Sequence, residues 1–294
     1  MKRLVEYFTC GIDSRTLGTV GAEVETQFVD SSGVAISTEV SQRILADLVR
    51  RGWSIEASRS NLITAIVDHQ GNKMLYELGR HNIEVATVAT LPQKIASITR
   101  DCLGQLHDSA NRFGAYGHFA PIFNTDEDLL VVPDERDANW LKLDGRETLA
   151  PLARTSSVQF TLSIAPPDAI NVINRLGKQI DCFLSDYPQE AIWRTYIARS
   201  HANYLAERYG GPCQFESIVD YCNQLARHDV VSGEKLIPLA AVDNLDVSLF
   251  LRSIWWYFRF KRYGSSLCVE VRPMPRLSDE KISDQLKMVV DIIG

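Results

Sequence analysis

The segment Val20-Gly21-Ala22-Glu23-Val24-Glu25-Thr26-Gln27-Phe28-Val29 constrains the fold most, because its middle alternates between two incompatible surroundings. As a strand it sends Val24, Thr26 and Phe28 to one face and Glu23, Glu25 and Gln27 to the other. A single strand of this kind reads as half-exposed, with solvated acids. The same division recurs further along the chain, and repetition calls for a sheet with one apolar and one acidic face.

The spacing predicts a helix from Ser37 or Thr38 to Gly52, with Val40, Ile44, Leu48 and Val49 turned inward. A meander follows, with strands over 62–67, 73–78 and 82–88, and Pro92 ends it. A long helix over about 93–111 carries Ile95, Ile98, Cys102 and Leu106 toward the core. Residues 113–147 read as loop, with Asp126-Glu127-Asp128 and Asp134-Glu135 as solvated acidic runs and His118 as a structural histidine. Ser157–Ser163 is a strand with Val158, Phe160 and Leu162 on one face and Gln159, Thr161 and Ser163 on the other. Helical segments are expected over 167–184, 191–209 and 215–227. The aromatic run Ile254–Phe260, a strand over 267–272 and a helix over 278–293 complete the chain. No repeat or low-complexity linker divides it, so one domain over 1–294 is expected.

A chain of 294 residues can bury a substantial core, and its formal charge of −6 weighs against nucleic acid or anionic membrane as partner. No apolar run is long enough to span a bilayer, and Met1–Glu6 lacks the apolar centre of a signal peptide, which points to a cytoplasmic protein. The six cysteines form no Cys-x-x-Cys pair and the six histidines no His-x-x-x-His spacing. Neither a disulfide framework nor a histidine metal centre is expected.

Four segments place acids or amides opposite an apolar face: Glu23 with Glu25, Glu77 with Glu84 on neighbouring strands, Gln159, and Glu270 with Arg272. In one antiparallel sheet these side chains would cluster. Two carboxylates about 5 Å apart repel by roughly 3 kcal/mol at an effective dielectric of about 20, so the cluster calls for cations. Oxygen ligands select hard divalent ions such as Mg2+ or Mn2+, which at enzyme sites also coordinate phosphates. Arg259, Lys261, Arg262 and Arg272 suit the same anions, although a basic residue alternating with aromatics is often a surface residue. Neither Gly-x-x-x-x-Gly-Lys-Ser/Thr nor Gly-x-Gly-x-x-Gly occurs, so a nucleotide would be held by metals and side chains.

Gly21-Ala22-Glu23-Val24-Glu25, Glu77 and Glu84 within Tyr76–Thr87, Thr155-Ser156-Ser157-Val158-Gln159, Trp255-Trp256-Tyr257-Phe258-Arg259 and Val269-Glu270-Val271-Arg272-Pro273 follow in an order that resembles glutamate-cysteine ligases and related carboxylate-amine ligases. The resemblance runs from about residue 20 to 276. It implies an α+β fold of glutamine-synthetase type, an antiparallel sheet curved into a half barrel with helices on its convex side. It also implies ATP-dependent amide formation from a glutamate-like carboxylate and a small amine, through an acyl phosphate. By the same resemblance Glu23, Glu25, Glu77, Glu84, Gln159 and Glu270 match Mg2+-holding positions. Arg272 matches a position that contacts transferred phosphate; beside it Arg259 is read from the residues as a second catalytic cation, and Lys261 with Arg272 as holding the ATP phosphates. Many relatives carry histidine where this chain has Gln159, whose amide oxygen also ligates Mg2+. The amine and the oligomeric state stay open. The other function considered is a diverged metal- or nucleotide-binding protein on the same scaffold.

Overall fold

The computed structural model describes residues 1–13 and 17–294. Among these residues the strands are β1 Val20–Val29, β2 Ser54–Arg59, β3 Leu62–Val67, β4 Lys73–Tyr76, β5 Asn82–Ala86, β6 Tyr116–His118, β7 Ser157–Ser163, β8 Tyr209–Gly210, β9 Val230–Ser232, β10 Lys235–Ile237, β11 Trp255–Trp256, β12 Phe258–Tyr263 and β13 Ser266–Pro275. The helices are α1 Lys2–Thr9, α2 Thr38–Arg50, α3 Pro92–Arg112, α4 Glu135–Asp144, α5 Arg146–Leu149, α6 Ala169–Lys178, α7 Ile180–Leu184, α8 Gln189–Arg199, α9 Ile218–Leu225, α10 Val247–Arg252 and α11 Lys281–Ile293.

Nine strands form one antiparallel sheet in the order β12-β13-β7-β1-β5-β4-β3-β2, with β6 beside the end of β1. The sheet is open, with β12 and β2 as its edges. β1 lies near its middle because its apolar residues suit burial: Val24, Thr26 and Phe28 are each 0% exposed. Helix α3 packs on β1, α2 on β3, α6 on β12, α7 on β13, and α11 on β7. The buried apolar side chains form one continuous cluster. Ser37 caps α2 by accepting the N–H of Val40 at 3.3 Å, and Ile44 and Leu48 are buried as their spacing predicts. All six cysteines are free thiols, and no helix among the described residues is long and apolar enough to cross a membrane.

The region expected to be loop, 113–147, instead contains β6, α4 and α5. Asp134 starts α4 by accepting the N–H of Asp137 at 2.8 Å, and Asp137, Trp140 and Asp144 then recur on one buried face. The helix expected over 167–184 divides at Gln179, whose φ of −102° and ψ of 14° leave the helical region. Strand β2 escaped the sequence pattern because it is an exposed edge with two irregularities in its pairing, so no apolar alternation marks it. β12 and β13 form a hairpin around Gly264 and Ser265, and Gly264 takes φ +58°, a conformation glycine adopts without a Cβ penalty.

Candidate active site

Residues paired across neighbouring strands share a face. Glu23 pairs with Gln159, Glu25 with Glu84, and Glu270 with both Thr161 and Arg259. The polar residues of five strands therefore stand on the side opposite Val24 and Phe28. There they surround a cavity of about 320 Å3. Glu23, Glu25, Glu77 and Glu84 line one part of it. Gln159, Arg259, Lys261 and Arg272 line the other.

In the acidic part no carboxylate has an ion-pair partner among the described residues. Glu25 accepts the backbone N–H of Ser157 at 2.9 Å. Burial and then the neighbouring Glu77 and Glu23 push the Glu25 carboxyl up to about 8, with Ser157 and Arg272 opposing. Glu84, 8% exposed, is raised well above the usual carboxylate range by burial and by Glu23, Glu77 and Glu25. Glu77 is raised chiefly by burial, against the attraction of Arg136. Its turn is pinned by Gly79, where a Cβ would collide with the carbonyl oxygen of Ala153. Glu25, Glu77 and Glu84, crowded together beside Glu23 and without an ion-pair partner among the described residues, are biased toward protonated forms, and a divalent ion could replace those protons. Their oxygens are the donor chemistry Mg2+ takes, so the residues fit such an ion. As the side chains stand, no group of three or more His, Cys, Asp or Glu among the described residues closes into a site that could hold a metal ion.

The basic part has the opposite economy of charge. Glu270 is 0% exposed and forms ion pairs with Arg259, Lys261 and, at 3.2 Å, Arg272. Burial would raise its carboxyl, yet the three cations hold it well below the usual range. Arg259 is further occupied by the carbonyls of Leu251 and Ile254, each at 2.5 Å. Arg272 makes both of its side-chain bonds through Nη1, to Glu270 at 3.2 Å and to Gln159 Oε1 at 2.8 Å. Its remaining guanidinium N–H groups have no hydrogen-bond partner among the described residues, and the residue lines the cavity.

The structure thus brings together Glu23, Glu25, Glu77, Glu84, Gln159, Arg259, Lys261 and Arg272 on one cavity wall. Glu270 stands behind that wall and binds three cations. Arg259 and Lys261, which could have been surface residues, are drawn in by Glu270. His118 lies outside the cavity lining, edge-on to Phe123 at 5.2 Å.

Helix α4 supplies a part of the site that the sequence reading assigned to solvent. Asp134, Arg136, Asp137 and Trp140 line the cavity beside Glu77. Arg136 pairs with Asp134 at 3.3 Å and Asp137 at 3.4 Å, and its guanidinium lies 4.9 Å from the Trp140 ring. Burial, partly opposed by Arg136, raises Asp137 to about 7. The signal was the spacing of Asp137, Trp140 and Asp144 behind a capping aspartate, obscured by the surrounding charges.

No protein-family model matches the chain, and no curated protein matches it in sequence. Solved structures with a related outline include a bifunctional glutathione synthetase from Pasteurella multocida, at 12% identity and a TM-score of 0.49 over 99% of this chain and 40% of that one. A Plasmodium falciparum glutamine synthetase aligns at 7% identity and a TM-score of 0.46, over 99% of this chain and 54% of that one. A GmaS/ADP complex aligns at 11% identity and a TM-score of 0.41, over 99% and 57%. The chain spans about half the length of these proteins, or less.

Proposed function

We propose that the chain is an ATP- and Mg2+-dependent ligase that joins a glutamate-like carboxylate to an amine through an acyl phosphate. The observation that carries this is one cavity in which four carboxylates without counter-cations face Arg272, Lys261 and Arg259 assembled on Glu270. The acids suit divalent ions, and the basic wall suits phosphate oxygens. A second cavity of about 450 Å3 shares Glu23, Leu75, Glu84 and Tyr263 with the first and continues between apolar residues such as Ala86, Val88 and Cys268. Such a slot would hold a purine, with Glu84 and Lys261 on the side of its phosphates. The single domain over 1–294 and the half-barrel curvature of the sheet belong to the same proposal.

Glu23, Glu25, Glu77 and Glu84, with the amide oxygen of Gln159, would hold the Mg2+ ions. Glu270 joins them only by giving up one of its cations. When bound, such ions neutralise phosphate charge and align the attacking oxygen. The protein groups do the rest. Arg272 donates its free N–H groups to the transferred phosphate, and Gln159 fixes its orientation. Lys261 offsets charge on the nucleotide side. Arg259, tied to two carbonyls, orients Glu270 and so the other two cations. The test is release of phosphate from ATP and Mg2+ with glutamate and a panel of amines, the products read by mass spectrometry. Amine-dependent release that falls at least about 100-fold in Glu25→Gln and Glu84→Gln supports the assignment. Full activity in both variants removes these residues from the mechanism, and binding of ATP without amine-dependent release favours a diverged binding protein.

A further inference from the structure

A further chamber adjoins the proposed reaction cavity at α4. Arg136, Trp140 and Arg252 also line this chamber of about 480 Å3 on their other side. Its walls are β9, β10, α10 and the turn before α10, through Val230, Val231, Ile237, Val242, Leu249 and Phe250. Its acids, Asp243 and Asp246, are exposed at the rim, and Asp246 accepts the N–H of Leu249 at 3.0 Å as the cap of α10. Trp140, in the partition, is 6% exposed, and its indole N–H is buried without a hydrogen-bond partner. Arg252 is exposed and has no ion pair among the described residues. The apolar slot beyond Glu23 and Glu84 lies on a different side of the reaction cavity, sharing neither Arg136, Trp140 nor Arg252.

We propose that this chamber receives the body of the acceptor, and that the acceptor is a primary amine carrying an uncharged apolar group. The inference rests on the ligase reading and names the substrate class for its second step. Apolar walls with Asp243 and Asp246 at the rim disfavour a dicarboxylic acid. A primary ammonium reaching the partition meets Asp134 and Asp137, while its apolar body stays among Val231, Val242 and Leu249. There the ammonium gives one proton to a carboxylate, and the nitrogen lone pair forms the C–N bond to the acyl carbon. The carbon–oxygen bond to phosphate breaks with its electron pair on the leaving oxygen, and phosphate departs as hydrogen phosphate with a second proton from nitrogen.

The experiment offers the full chain ATP, Mg2+ and glutamate with hydroxylamine, methylamine, isobutylamine, phenethylamine, an aliphatic diamine or leucine, and measures ADP and amide product. Isobutylamine and phenethylamine should exceed methylamine in kcat/KM by at least about tenfold, since each well-packed methylene is worth roughly 10- to 200-fold. Leu249→Lys and Ala241→Trp, both at exposed positions lining the chamber, should each lower kcat/KM for isobutylamine at least tenfold more than for hydroxylamine. Two substitutions guard against one that disturbs folding. If hydroxamate forms but methylamine, the diamine or leucine is preferred, or if both variants affect the two amines equally, the chamber assignment is overturned while the ligase reading stands. If no hydroxamate and no ADP form with any nucleophile, both fall.

Discussion

The two halves of the central cavity contain buried carboxylates under opposite conditions. Glu270 is buried among three cations and ionised, whereas Glu25, Glu77 and Glu84 are crowded with one another and biased toward their protonated forms. The contrast separates a carboxylate that holds the architecture from carboxylates that, on the proposed function, a ligand would neutralise. Removing the charge should therefore have opposite consequences for stability in the two halves, although the substitution is the same.

The largest effect is expected for Glu270→Gln, which leaves Arg259, Lys261 and Arg272 facing one another without their shared anion. Breaking a buried charge pair costs about 3–5 kcal/mol, roughly 10 °C in Tm for a chain of this size. Thermal unfolding measures it, and a Tm within a degree of wild type would end the division into two halves. In the acidic half, Glu84→Gln removes a charge that burial and three neighbours disfavour. Its metal-free Tm should equal or exceed that of wild type near pH 8, while amine-dependent ATP turnover falls by about 100-fold or more.

The pH dependence sharpens the same contrast. Glu25 has a folded pKa raised from 4.5 to about 8, so between those values the folded chain keeps a proton that the unfolded chain has released. Its contribution to stability is full below about 4.5 and lost as pH rises toward about 8. Glu84 and Glu77 act in the same direction. Glu270, with its pKa depressed, contributes above 4.5 and loses that contribution as pH falls. The Tm advantage of Glu84→Gln over wild type should grow by several degrees from about pH 5 to about pH 8, measured without divalent ions, and a flat difference would refute the crowding argument. The smallest effect is expected at the seam between the halves. Gln159→Ala frees Arg272 from its 2.8 Å partner, costs about 1–2 kcal/mol and should raise KM for ATP severalfold.

The acidic half was legible in the chain because it lies on short-range pattern. The alternation in β1 puts Glu23 and Glu25 on one face, and the adjoining β4 and β5 bring Glu84 opposite Glu25. The cation cluster was harder to see, because Glu270 meets Arg259 only through the register of β12 against β13. The Gly264-Ser265 turn between Arg259-Phe260-Lys261 and Glu270-Val271-Arg272 carried that register. The α4 wall was hidden for another reason. Asp134, Arg136 and Asp137 look solvated as a run of charges, and only the burial of Trp140 and Asp144 on the same face turns them inward.

On the proposed function the acidic half takes divalent ions that arrive with nucleotide. The direct measurement is the Tm near pH 8 with Mg2+, with ATP, and with both, in wild type and in Glu25→Gln. A rise of several degrees is expected in wild type only when Mg2+ and ATP are together, as a ligand held by the native state requires, and little or none in the variant. An unchanged wild-type Tm under all three conditions, or an equal rise in the variant, would contradict that assignment.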